Sequence, residues 1–159
     1  MLRHRAPAPS VCLSILSILA ILALEPASAR AESEGVDFMA KLVARSFVQT
    51  LLSGEISALL PLCAAEVNFD GLSVKGVEPI EKQLRAINER ARQHGLRLTR
   101  LQMLSWKEAV QRHGPPPERL GLRGARGELV VALARFNSLG AALILRRVGP
   151  LWKIVAITD

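Results

Sequence analysis

The sequence predicts a small α+β domain. Three observations carry that class. Apolar residues recur every three or four positions from Asp37 onward and again after Gly76, the period of a helix with one buried side. Asp70-Gly71 stands between two β-like runs, a hairpin signal. The chain closes on three apolar β-like segments divided by short turns, which implies an antiparallel meander.

Each element follows from its residues. From Asp37, the positions Met39, Leu42 or Val43, Phe47 and Leu51 form one side of a helix. Gly54 ends it in the usual C-terminal position. A shorter helix is expected through Ile56, Leu59 and Leu60, kinked or ended by Pro61. VNFDGLSVKG reads as a two-residue hairpin, because Asp-Gly suits a turn whose two central residues both take positive φ. Its register pairs Phe69 with Leu72, Asn68 with Ser73 and Val67 with Val74. One face is then apolar and the other polar, and a shift by one residue would spoil that sorting. Asp70 is expected exposed at the tip, supplying turn geometry rather than chemistry.

After Gly76, a stripe of Val77, Ile80, Leu84, Ile87 and Ala91 predicts another helix. Glu78 with Lys82, and Glu81 with Arg85, stand in the favourable i,i+4 order. The helix closes at His94-Gly95. LRLTRLQML reads as a strand, with Leu96 and Leu98 alternating with Arg97 and Thr99. SWKE, Ser105 to Glu108, is a capping box that opens a short helix to Arg112. GPPPERLGLRGARG follows, with three prolines, four glycines and three arginines. Long loops of this kind are functional or loosely held. Helix and loop together form an insertion over 105–127. GELVVALARFN, AALILRRVG and LWKIVAIT complete the chain as strands.

The 159 residues contain one domain, expected over 37–159, behind a flexible segment over 30–36. Residues 1–29 have the layout of a secretory signal peptide: Arg3 and Arg5, the apolar run Val11 to Leu24, Pro26, then Ala27-Ser28-Ala29 as the cleavage site. The run is shorter than the about 20 residues a membrane span needs. Cys12, at the front of that run, is misplaced for a lipoprotein cysteine. Cleavage predicts a periplasmic or secreted domain without a stable membrane anchor. It removes Arg3, Arg5 and Glu25 and leaves 19 basic and 13 acidic residues, a net charge of +6. A basic surface favours anionic partners. Nucleic acid is not expected, since no aromatics interleave with the basic residues and Tyr is absent. Cys63 stays alone, so no internal disulfide forms, and its apolar helical setting, ISALLPLCA, predicts a small buried side chain.

The order of elements, together with SGEISALLPLCAAEVNFDG, LSVKGVEPIEKQL and the closing GPLWKIVAITD, resembles the nuclear transport factor 2-like superfamily. That is the fold of ketosteroid isomerase, scytalone dehydratase and the SnoaL-like polyketide cyclases. The resemblance spans about Asp37 to Asp159. It implies a curved antiparallel sheet wrapped around three helices, a cone-shaped, cystatin-like roll with an open pocket. SWKEAVQRHGPPPERL departs from the pattern and looks like an insertion near the sheet edge. An isomerase of the ketosteroid type needs a Tyr for its oxyanion, and there is none. The scytalone type uses His with Asp and Tyr. Here His94 and His113 each precede a Gly at a helix end, where capping explains them.

The expected pocket lining is Phe69, Leu98, Phe136 and Trp152, which could equally fill the interior. Asn68, Arg135 and Asp159 are the polar candidates, and Trp106 stands beside the long loop as a hinge or lid contact. Asn68, Phe69, Leu98, Arg135, Phe136 and Trp152 form the candidate ligand-binding set. No catalytic residue, metal spacing or phosphate loop is recognisable, and no cofactor is implied. Three functions stay open. One is a non-catalytic exported domain binding a small apolar or anionic ligand. Another is a dimerisation or accessory module using the sheet face, to which AALIL would lend apolar surface, as a homodimer or with a protein partner. The third is a cofactor-independent lyase or isomerase.

Overall fold

The computed structural model describes residues 36–122 and 128–159. The expected signal peptide over 1–29, nearly all of the segment 30–36, and residues 123–127 of the insertion lie outside the described residues. Among the described residues no helix is long and apolar enough to cross a membrane.

Helix α1 (Phe38–Ser53) starts where Asp37 accepts a hydrogen bond from the Met39 N–H at 2.8 Å. It ends at Gly54, whose φ of 89° only glycine takes readily. Its buried side is Ala40, Ala44, Phe47, Val48 and Leu51. Met39, expected inward, is exposed, and of the pair Leu42 or Val43 it is Val43 that packs against the core. The two alanines take the inward positions because a small side chain lets the helix backbone approach its neighbours closely. A seven-residue 3₁₀ turn (Ile56–Leu62) contains Pro61 and runs into strand β1 (Cys63–Phe69). Cys63 is thus the first residue of a strand, not part of a helix.

The hairpin to β2 (Leu72–Lys75) has the expected register: Val67 with Val74, Asn68 with Ser73, Phe69 with Leu72. Asp70 (φ 50°) and Gly71 (φ 102°) both take the positive φ the turn requires. Helix α2 (Val77–Gln93) buries Ile80, Leu84, Asn88 and Ala91, and Val77 is exposed. Glu81 and Arg85 pair on its surface, and Glu78 and Lys82 do not. Strand β3 (Leu98–Ser105) leads into α3 (Trp106–His113). Both arms of the Ser105–Glu108 capping box are made. A 3₁₀ turn (Glu118–Leu120) follows, then the meander of β4 (Leu129–Phe136), β5 (Gly140–Val148) and β6 (Leu151–Thr158).

Among the described residues, six strands form one sheet in the order β2-β1-β6-β5-β4-β3. The molecule is α+β as expected, but the sheet is mixed, because β1 runs parallel to β6. Every pair joined by a short turn is antiparallel. Four strands and two helices separate β1 from β6 along the chain, a connection long enough for either direction. No local signal could have set it.

Alternation along β4 and β5 sends side chains to two buried faces. Toward α1, α2 and the Ile56–Leu62 turn lie Val130, Ala132, Ala134, Leu143 and Leu145, in the main core with Phe47, Leu59, Val67 and Leu84. On the other face Leu129, Val131 and Ile144 join Leu120 and Leu122 of the insertion, with Trp106 and Ala109 of α3 packed against them. Val155 is an extra residue between the pairs Ile144–Ala156 and Leu145–Ile154, a β-bulge. It puts Val155 and Ala156 in the insertion-side cluster and restores Ile157 to the helix side.

Candidate functional site

Between α1, α2 and the sheet lies a cavity of about 400 Å³. Its α2 wall follows from helical geometry. Gln83, Ile87, Arg90 and His94 stand at i, i+4, i+7 and i+11, next to the stripe that α2 buries in the core. Helix α1 supplies Val48, Leu51 and Leu52. The sheet supplies Phe69 and Leu72 from the hairpin, Ala134 and Phe136 from β4, Ala141 and Leu143 from β5, and Ile157 from β6. The wall is overwhelmingly apolar. Polar side chains stand on exposed or half-buried residues: Asp70, Gln83, Arg90, His94, Thr158 and Asp159.

Part of this rim is latched to the insertion. Arg119 donates from Nε (3.0 Å) and Nη2 (2.8 Å) to Oδ1 of Asp70. Thr158 Oγ1 donates to the same oxygen at 2.6 Å. The bonds from Thr158 and then Arg119 hold the Asp70 carboxyl below its ordinary range. Asn68 accepts from the Gly71 N–H at 2.7 Å and donates to the Arg119 carbonyl at 3.1 Å. A Cβ on Gly71 would stand 3.2 Å from Arg119 Cβ. The turn residues therefore have two roles, shaping the hairpin and seating the strap that carries Arg119.

Of the candidate binding residues, Phe69 and Phe136 line the cavity, and Asp159 lies at its rim. Asn68, on the other face of β1, belongs to the latch. Leu98 packs against the main core outside the lining. Arg135 is exposed on β4 and does not reach the cavity. Trp152 is buried in the core and donates from Nε1 to Asp37 Oδ2 at 2.9 Å, pinning the start of α1 to β6. That bond is the main cause of the lowered Asp37 pKa, ahead of the Met39 N–H. Trp106 packs against the insertion-side cluster. His94 follows the last residue of α2, its backbone N–H rather than its imidazole bonded to the Arg90 carbonyl, and it stands at the cavity rim.

Sequence reasoning missed Arg90, Thr158 and Arg119. Arg90 was legible in principle, three positions after Ile87 on the same helix face. Arg119 and Thr158 reach Asp70 from 49 and 88 residues away, and no spacing rule links them.

Asp70 is kept ionised with one oxygen already accepting three donors, which makes it a weak proton acceptor. Burial pushes the Cys63 thiol up to about 11, so it is protonated at neutral pH. Among the described residues no three His, Cys, Asp or Glu side chains converge to hold a metal ion. No family model, curated protein or solved structure matches the chain.

Proposed function

We propose that this is an exported, non-catalytic domain that takes a small, mainly apolar ligand into the cavity between α1, α2 and the sheet. The single observation that carries the reading is the cavity itself: about 400 Å³, apolar inside, with polar groups gathered on its rim. A concave apolar site of a few hundred cubic ångströms with few polar groups is what small-ligand binding requires. The resemblance in element order to the nuclear transport factor 2-like superfamily supports the same reading. In it, the sheet curves over α1 and α2 as a cone-shaped roll and the insertion is an addition peculiar to this chain. Export rests on the signal-peptide layout of residues 1–29.

The sheet face offers little room for the accessory-module reading. Ala142 and Ile144, the insertion-side apolar residues of AALIL, pack within this chain's own second cluster, with Leu120 and Leu122.

The test is titration with N-phenyl-1-naphthylamine, a neutral dye that brightens in apolar surroundings. The native protein is expected to bind it. Ala141→Trp, which adds bulk at a half-buried lining position, is expected to weaken binding more than about tenfold, a loss of about 1.4 kcal/mol. Folded Ala141→Trp protein that binds the dye as tightly as the native chain would overturn the reading. Native mass spectrometry of protein purified from the exported fraction supplies the complement: added mass that disappears on denaturation identifies the natural occupant.

A further inference from the structure

Not all the charges at the cavity rim are available to a ligand. Asp70 is engaged: Arg119 and Thr158 converge on its Oδ1, and the guanidinium opposes its charge. None of the described carboxylates pairs with Arg90. His94 stands one helical turn beyond Arg90 on the same face of α2, so the two side chains border one stretch of the rim. The last turn of α2 does not use them as caps. Its carbonyls are taken by backbone donors, from His94 to Arg90 at 3.0 Å, from Gly95 to Arg92 at 3.0 Å and from Leu96 to Ala91 at 2.9 Å. The remaining rim carboxylate is Asp159, across from α2 at the end of β6.

We infer that the cavity takes an amphipathic anion, an apolar chain or ring inside with its acidic head at the mouth against the Arg90 guanidinium beside His94. This rests on the cavity-binding reading above and adds the chemical class of the ligand. A planar guanidinium with no carboxylate partner is suited to a carboxylate, sulfonate or phosphate head, which it grips through parallel N–H donors. The apolar walls contributed by Leu51, Phe69, Phe136, Leu143 and Ile157 take the body. The latch has a part in this selectivity. By balancing Asp70 with Arg119 it leaves Asp159 as the rim residue, among those described, whose carboxylate has no cation against it. The net charge of the domain assists the approach of an anion.

The experiment is displacement of N-phenyl-1-naphthylamine by three compounds sharing one chain: octanoate, octanol and octyltrimethylammonium. It is run at pH 8, where the acid is ionised, and at low salt. Octanoate is expected to displace the dye at about a tenfold lower concentration than octanol, with octyltrimethylammonium weakest. Arg90→Gln is expected to bring the octanoate-to-octanol ratio close to one. Asp159→Asn is expected to raise it a few fold. High salt is expected to lower it, as screening requires. Dye displaced equally well by octanol and octanoate would overturn the anionic assignment and leave the cavity reading standing. So would a preference for octyltrimethylammonium, or a ratio that Arg90→Gln does not change. A protein that binds neither the dye nor any of the three would overturn both.

Discussion

Asp70 shows how one side chain acquires two roles. Its φ of 50° belongs to the turn, and its carboxylate belongs to the latch with Arg119 and Thr158. Asp70→Asn keeps the turn chemistry, so the protein is expected to fold with a modestly lower melting temperature. The pH dependence separates the two roles. Because its folded pKa is depressed, Asp70 contributes stability that is present above its ordinary value of 3.8 and lost as pH falls through the lower folded value. The gap in melting temperature between the native protein and Asp70→Asn should therefore narrow below that pH. A gap independent of pH would mean that the carboxylate's charge contributes nothing. At Gly71, φ and space act together. Gly71→Val would put a β-branched residue at φ 102° and crowd Arg119. A loss of roughly 1–3 kcal/mol in urea denaturation is expected. Cys63 offers a check on burial, since a thiol with a pKa of about 11 should react slowly with iodoacetamide at neutral pH until the protein unfolds.

Among the elements, the insertion is where sequence pattern and structure diverge most. Prolines, glycines and arginines read as a long loop, functional or loosely held, and within it Leu120 and Leu122 are buried against the sheet. Two leucines in a polar stretch do not form a periodic signal, and their burial depends on a sheet face they cannot announce. Leu120→Ala should cost about 2–3 kcal/mol, as for other buried leucines, and should speed hydrogen exchange in the 118–122 turn. A substitution without effect on either measurement would mean that the strap adds nothing to the fold. Helix α2 carries the converse case. Asn88 sits in the buried stripe and donates from Nδ2 to the Leu51 carbonyl at 2.6 Å, tying α2 to the end of α1. An apolar-periodicity search passes over it because it is polar. Of the remaining stripe residues, Val77 at the N-terminal end is exposed, and Ile87 packs against the main core and lines the cavity.

For the whole molecule, the parallel pairing of β1 with β6 brings the hairpin beside the last strand. Only then do Phe69 and Ile157 share one cavity wall, and only then can Thr158 reach Asp70. Charge acts at this scale as well. Expressed as the full chain, the protein is expected to yield an exported product beginning near Arg30, with an intact mass that matches cleavage after Ala29. Recovery of the uncut chain from membranes would overturn the export reading.

By itself the sequence determined the local elements, since each depends on neighbours along the chain. The Asp-Gly hairpin and its register, the Ser105–Glu108 capping box, the Gly54 stop and the C-terminal meander all rest on contacts within a few residues. Phe69 and Phe136 could be picked as lining candidates because an aromatic in an alternating strand has one of two faces to occupy. Only the tertiary structure decided which face, and it did so through features without a local code. A parallel partner lies far along the chain, a bulge at Val155 shifts the alternation, and an arginine from the insertion neutralises the acid at the hairpin tip. Those contacts join residues separated by tens of positions, where burial and charge balance, and not spacing, select the partners.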